Sequence, residues 1–149
     1  MTTQRFALIW GILFLLAGVA GFIPPLLTPP EQPIAMNHMH GLLFGLFPVN
    51  VLHSLFHVAF GIWGIIAFRS GFRAARLYAQ VTAVVYAILV VLGFFPGLNT
   101  LFGLLPIHGH DIWLHAVLAL PAFYFGFVNK SDTAAAATTT TTHSTGRRV

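Results

Sequence analysis

His53 and His57 stand four residues apart, and so do Asp111 and His115. On a helix, an i, i+4 spacing stacks both members of a pair on one face, about 6 Å apart along the axis. Three chemistries suit such a set. Three imidazoles and a carboxylate suit zinc or another first-row divalent metal. Two imidazoles approaching from opposite sides suit a haem iron, or a pigment held in the same way. Neighbouring imidazoles also make a protonatable relay or sensor. The plainer alternative is structural: neutral His57 and His115 bonding each other, a backbone carbonyl or Trp113 across a helix interface.

His38-Met39-His40 and His108-Gly109-His110 form a second, accessory constellation. A His-x-His loop can chelate copper or zinc, and Met36 and Met39 favour copper. Other chemistry is scarce. There is no cysteine, hence no thiolate site and no thiol nucleophile. The only acids are Glu31, Asp111 and Asp132, which excludes catalysis by paired carboxylates. No phosphate loop, nucleophile elbow, His-Glu-x-x-His or dinucleotide fingerprint occurs. The chemistry therefore reads as binding, and an enzyme is the weaker expectation.

The elements that position these residues come in two copies. Leu43-Phe44-Gly45-Leu46-Phe47-Pro48-Val49 returns as Leu101-Phe102-Gly103-Leu104-Leu105-Pro106-Ile107. At that offset His57 falls opposite His115, and His53 opposite Asp111. Upstream of each copy, Gly21-Phe22-Ile23-Pro24 and Gly93-Phe94-Phe95-Pro96 end an earlier apolar run. The repeating unit is thus a helix, a Gly-Phe-x-Pro stop, a loop, a Leu-Phe-Gly-Leu-x-Pro entry and a second helix. With a pseudo-two-fold axis along the membrane normal, His57 and His115 lie at equal depth, about 10 Å below the outer interface. Ionisable groups so placed face the bundle interior or a cavity.

Composition identifies the solvent as lipid. Of 149 residues, 57% are hydrophobic and 7% charged, against about a quarter charged in a soluble domain. Mean hydropathy is +0.84. The chain reads as an all-α, four-transmembrane-helix bundle of two helical hairpins over residues 1–128, with helices over about 6–23, 49–68, 74–95 and 111–128. Residues 129–149, rich in alanine and threonine, read as a disordered low-complexity tail. The first apolar run has features of a signal peptide, but it ends in the same stop as the third run and so behaves as half of a hairpin. Ile34 to Phe47 is too short and interrupted to span, which predicts an interfacial or re-entrant piece, and Pro48 predicts the entry of the second helix. Pro121 predicts a kink in the fourth.

Charge gives the orientation. With the N-terminus in the cytoplasm, Arg5, Arg69, Arg73, Arg76, Lys130, Arg147 and Arg148 all fall inside. The net charge of +4 is then a topology signal with no nucleic-acid partner behind it. Both termini are expected to be cytoplasmic, in the inner or plasma membrane. All the histidines except His143 fall in the outer half. Trp113 near the outer edge and Tyr78 near the inner edge suggest aromatic belts. Gln80 and Thr82 are placed to bond a neighbouring helix. Small residues at Gly18, Gly61 and Gly64 allow close helix approach, within the chain or to a partner.

The same residues carry a resemblance. Val51-Leu52-His53-Ser54-Leu55-Phe56-His57 leading into Phe60-Gly61, the Arg76-Leu77-Tyr78 start of the third helix, and Asp111-Ile112-Trp113-Leu114-His115 resemble bacterial four-helix membrane proteins of the domain of unknown function 4383 family. That family typically has Asn where this chain has Ser54 and Ile112, and His38, His40, His108 and His110 lie outside the shared pattern. The resemblance implies fold and membrane location; no activity comes with it.

Two functions remain in view. One is a small membrane protein whose outer-half cluster, His53, His57, Asp111 and His115, binds a divalent metal, haem or pigment. The other is an accessory subunit of a larger membrane complex, or a homo-oligomer, with the histidines as interhelical glue.

Overall fold

The computed structural model describes residues 1–29 and 41–129. The His38-Met39-His40 stretch and the expected tail from residue 130 onward lie outside the described residues. The protein is mainly helical: α1 (Thr3–Ala20), α2 (Val51–Arg69), α3 (Phe72–Gly93) and α4 (His110–Phe123), the last continued by a π-turn, Tyr124–Val128. All four are long and apolar enough to cross a membrane when the π-turn is counted with α4. Helix α1 packs chiefly on α2 and α3 on α4, so each hairpin is a packed pair.

Helix ends follow local chemistry. Thr2 caps α1 by accepting the Arg5 amide. The Gly-Phe-x-Pro stops act alike in both copies: Phe22 and Ile23 donate to Val19 and Ala20, and Phe94 and Phe95 to Val91 and Leu92. These tightened last turns satisfy carbonyls that a helix end leaves open.

The segment before α2 differs from expectation. Leu27–Thr28 (β1), Gly41–Leu43 (β2) and Phe47–Val49 (β3) form a three-stranded antiparallel sheet in the order β1-β2-β3. Leu27 pairs with Leu43 and Leu42 with Pro48. Pro48 therefore sits in an edge strand, where a missing amide donor is tolerated, and does not open α2. Asn50 does: its Oδ1 accepts the His53 amide at 2.8 Å. Short polar side chains at the N-cap satisfy an orphan amide, as a proline ring cannot.

Asn50 has a second duty. Its Nδ2 donates to the Leu104 carbonyl at 2.8 Å, fastening the start of α2 to the second Leu-Phe-Gly-Leu turn. Asn50→Ala should lower stability in detergent by about 1–2 kcal/mol. Asn50→Asp, which keeps the cap and loses the donor, should recover part of it; thermal unfolding of the two variants checks both.

The two Leu-Phe-Gly-Leu turns share their bonding. Gly45 and Leu46 donate to Leu42 and Leu43; Gly103 and Leu104 donate to Thr100 and Leu101. Phe44 and Phe102 both adopt left-handed backbone, with φ of 54° and 59°.

The core is aromatic and alanine-rich. Phe6, Phe14, Tyr78 and Tyr86 pack with Ala7, Ala67, Ala75, Ala79, Ala83 and Ala122. Tyr78 is fully buried and meets Trp63 edge-on at 5.2 Å, so it belongs to this core and to no inner belt. Trp113 is exposed, where a lipid-facing belt residue would be. Small residues let α1 and α2 touch. A Cβ on Gly11 would stand 2.9 Å from the Gly61 carbonyl, and one on Gly18 2.7 Å from the Val58 amide. The glycine face is thus used up within the chain.

Pro121 leaves its mark one turn late, in the π-turn, where Asn129 donates to the Tyr124 carbonyl. The Gly126 carbonyl accepts from both Arg76 Nε at 3.0 Å and Gln80 Nε2 at 3.1 Å. Gln80 therefore bonds a neighbouring helix, as expected of it. Asn129 is buried, with Nδ2 3.4 Å from Thr3 Oγ1, and closes the bundle at this end.

Candidate metal centre

The half of the bundle where α2 and α4 begin holds the described histidines. Asn50 sets the first turn of α2 so that His53 and His57 project from one face, and their rings stack with centroids 4.7 Å apart. Helix α4 brings His115 to the same place, its ring centroid 6.1 Å from that of His53. One ligand atom from each of His53, His57 and His115 lies within 4.8 Å of the others. Among the described residues this is the one such group of metal-capable side chains. His53 and His115 are buried, at 4% and 1% exposure, and His57 is half-buried.

Each imidazole is backed by an acceptor. His57 Nδ1 lies 3.2 Å from the His53 carbonyl. A carbonyl can only accept, so Nδ1 carries the proton and Nε2 keeps its lone pair. His115 Nε2 stands 3.4 Å from Asp111 Oδ2. Its Nδ1 is buried without a hydrogen-bond partner among the described residues. The carbonyls of Pro48 and Pro106, the prolines that close the two motif copies, face the His53 ring. His53 Nδ1 too is buried without a partner. Assigned on these contacts, His57 and His115 each turn one nitrogen to an acceptor, and His53 and His115 each keep a buried Nδ1 without a partner. Metal-ligating histidines share this arrangement, in which a carboxylate or carbonyl fixes the tautomer.

The spacing fits a small ion. Zinc holds imidazole nitrogens at about 2.0–2.1 Å, hence about 3.3 Å from one another in a tetrahedron. Modest side-chain rotation closes the difference. Haem fits less well. The cavity beside the rings is about 250 Å³, below the range of about 300–1,000 Å³ usual for small-molecule sites. Asp111 joins through His115 and is not within the group of three.

Aromatic walls hold the rings. Tyr86 meets His115 edge-on at 4.8 Å, and Phe14 lies 5.6 Å from His57 while stacking on Tyr86 at 5.2 Å. Sequence reasoning did not tie Asn50, Tyr86 or Phe14 to the histidines. A tyrosine in the middle of an apolar span was the available signal for the second, since its hydroxyl needs a reason to be there.

The two described accessory histidines stay apart. His110 is the exposed first residue of α4, and half-buried His108 precedes it in the loop. Burial pushes the His108 imidazole below its ordinary pKa, so it is neutral at physiological pH. Neither enters the group of three. No hydrogen bond joins His57 to His115 among the described residues, as glue between that pair requires.

The chain belongs to the family described as Domain of unknown function (DUF4383), whose model matches residues 4–128. No curated protein and no solved structure matches it.

Proposed function

We propose that this DUF4383 protein is a metal-binding membrane protein that holds one first-row divalent ion, zinc foremost, on His53, His57 and His115. The observation that carries it is the convergence of three imidazoles, one ligand atom from each within 4.8 Å of the others, with buried, unpartnered nitrogens on His53 and His115. Asp111 orients His115 and supplies negative charge beside the ion. Three protein ligands leave a tetrahedral site one open position.

Protein purified in nonionic detergent without chelator, then incubated with zinc and desalted, should retain about one zinc per chain by elemental analysis. Its visible spectrum should lack a haem band. Protein that retains no metal would return the imidazoles to the role of interhelical glue in an accessory subunit. A haem band would replace the ion with a porphyrin.

The positive-inside pattern supports placing both termini in the cytoplasm and the site in the outer half of the plasma membrane. The matched bonding of the two stops and the two turns supports a pseudo-two-fold relation between the hairpins. In intact cells, Ser70→Cys should be protected from an impermeant thiol reagent, whereas Thr28→Cys and Pro96→Cys should be labelled. The opposite pattern would invert the topology.

A further inference from the structure

An ion held by the three imidazoles would keep one coordination position open, and the site has a side door. The cavity of about 250 Å³ lies against His53, His57, His115 and Tyr86, and the rest of its lining is hydrocarbon. It is a partly open groove between α2 and α3. Phe56, Val85, Leu89 and Leu101 shape that apolar part, and Phe56 is 49% exposed on a spanning helix. About 10 Å below the helix entry, such an opening meets acyl chains before it meets water.

Resting on the metal reading above, we infer that the open position takes the head of a membrane-dissolved monocarboxylate, a long-chain fatty acid or its like. The head would meet the ion beside the imidazoles, and the hydrocarbon would lie along Phe56 and Leu89 and out into the bilayer. Charge selects the class of head. A divalent ion among neutral imidazoles would bring two positive charges into a low dielectric, and among the described residues Asp111 is the one carboxylate beside it. An uncompensated charge at that depth is costly, and one anionic oxygen donor completes the neutralisation. The lining selects the body. Apart from the imidazoles and Tyr86, the lining gives a water-borne anion nothing to bond to except the ion, whereas each buried methylene gains free energy.

Cobalt(II) provides the test, because its visible bands report changes in its coordination. The full chain, loaded with cobalt in nonionic detergent, is titrated with dodecanoate and with acetate. Dodecanoate should shift the bands at concentrations at least about 100-fold below those acetate needs. Leu89→Trp fills the apolar part of the groove without touching a ligand. It should keep the cobalt bands and weaken the dodecanoate response at least about tenfold. Bands that neither acid moves, equal potency of the two, or a dodecanoate response untouched by Leu89→Trp would each overturn the lipid ligand and leave the metal site standing. Protein that takes up no cobalt would remove the metal reading and this inference together.

Discussion

His57→Ala and His115→Ala should each reduce bound zinc from about one equivalent per chain to less than about 0.1, measured by elemental analysis after desalting. The size of the effect follows from the ligand count. A site of three imidazoles that loses one keeps two ligands, and the open position does not replace the third. The substitutions also test how the rings are held. His115 is backed by Asp111 Oδ2 at 3.4 Å, so Asp111→Asn should weaken zinc binding by about 10–100-fold, as loss of an orienting group does elsewhere. His110→Ala, on an exposed side chain outside the group, should leave zinc content unchanged. A graded series of this kind separates a coordination site from a hydrogen-bonded cluster. In a cluster, His57→Ala and His115→Ala would lower thermal stability while metal content stayed the same in all four variants.

Gly61→Val should be the most destabilising apolar substitution in the chain. A Cβ at Gly61 would stand 2.6 Å from the Leu15 amide nitrogen, and one at Gly64 2.7 Å from the Gly11 Cα. Both neighbours are backbone, so no side chain can swing away, and α1 and α2 would have to part along several turns. Overpacking in a core commonly costs about 1–3 kcal/mol; backbone on the far side puts Gly61→Val at about 3 kcal/mol or more. Ala59→Val, on the lipid-facing side of the same helix, should be nearly neutral. Thermal unfolding in detergent reads both. Unchanged stability in Gly61→Val with an altered oligomeric state would move the glycine seam from inside the chain to an interface between chains.

The helices were legible because lipid imposes a coarse rule. A run of about twenty apolar residues must hydrogen-bond to itself, and the positions of Gly21 and Gly93 before Phe and Pro mark where it stops. The convergence of His57 and His115 was legible from the repeat. The third member was not. Strict symmetry sets His53 opposite Asp111 and gives the two equal parts. In the structure, His53 stacks on His57 and joins the group, while Asp111 turns to His115 as its support. That asymmetry depends on side-chain torsions, which no spacing encodes. The entry to α2 was misplaced for a related reason. Pro48 and Asn50 are both good helix-start residues, and only the pairing of Phe47–Val49 with β2 decides between them. The aromatic support of Tyr86 and Phe14 escaped notice because both lie in runs whose other residues are bland.

The bond from Asn50 to the Leu104 carbonyl joins the first hairpin to the loop ahead of the second. The trio of imidazoles does the same, drawing two rings from α2 and one from α4. This has a consequence for how the protein is made. The first hairpin can enter the bilayer as a pair packed along its glycine seam, with Phe14 still lacking Tyr86 and Trp10 the Leu118 carbonyl. Its end at the α2 entry is the less finished one. Until α4 arrives, His53 and His57 lack His115 and the wall that Tyr86 and His115 build together, and two imidazoles face hydrocarbon at a free-energy cost. Synthesis therefore leaves the newborn chain with an unsatisfied edge at this end, and the last helix to be inserted relieves it. A chain interrupted after α3 would carry that edge exposed, a feature by which membrane quality control could tell it from the complete protein.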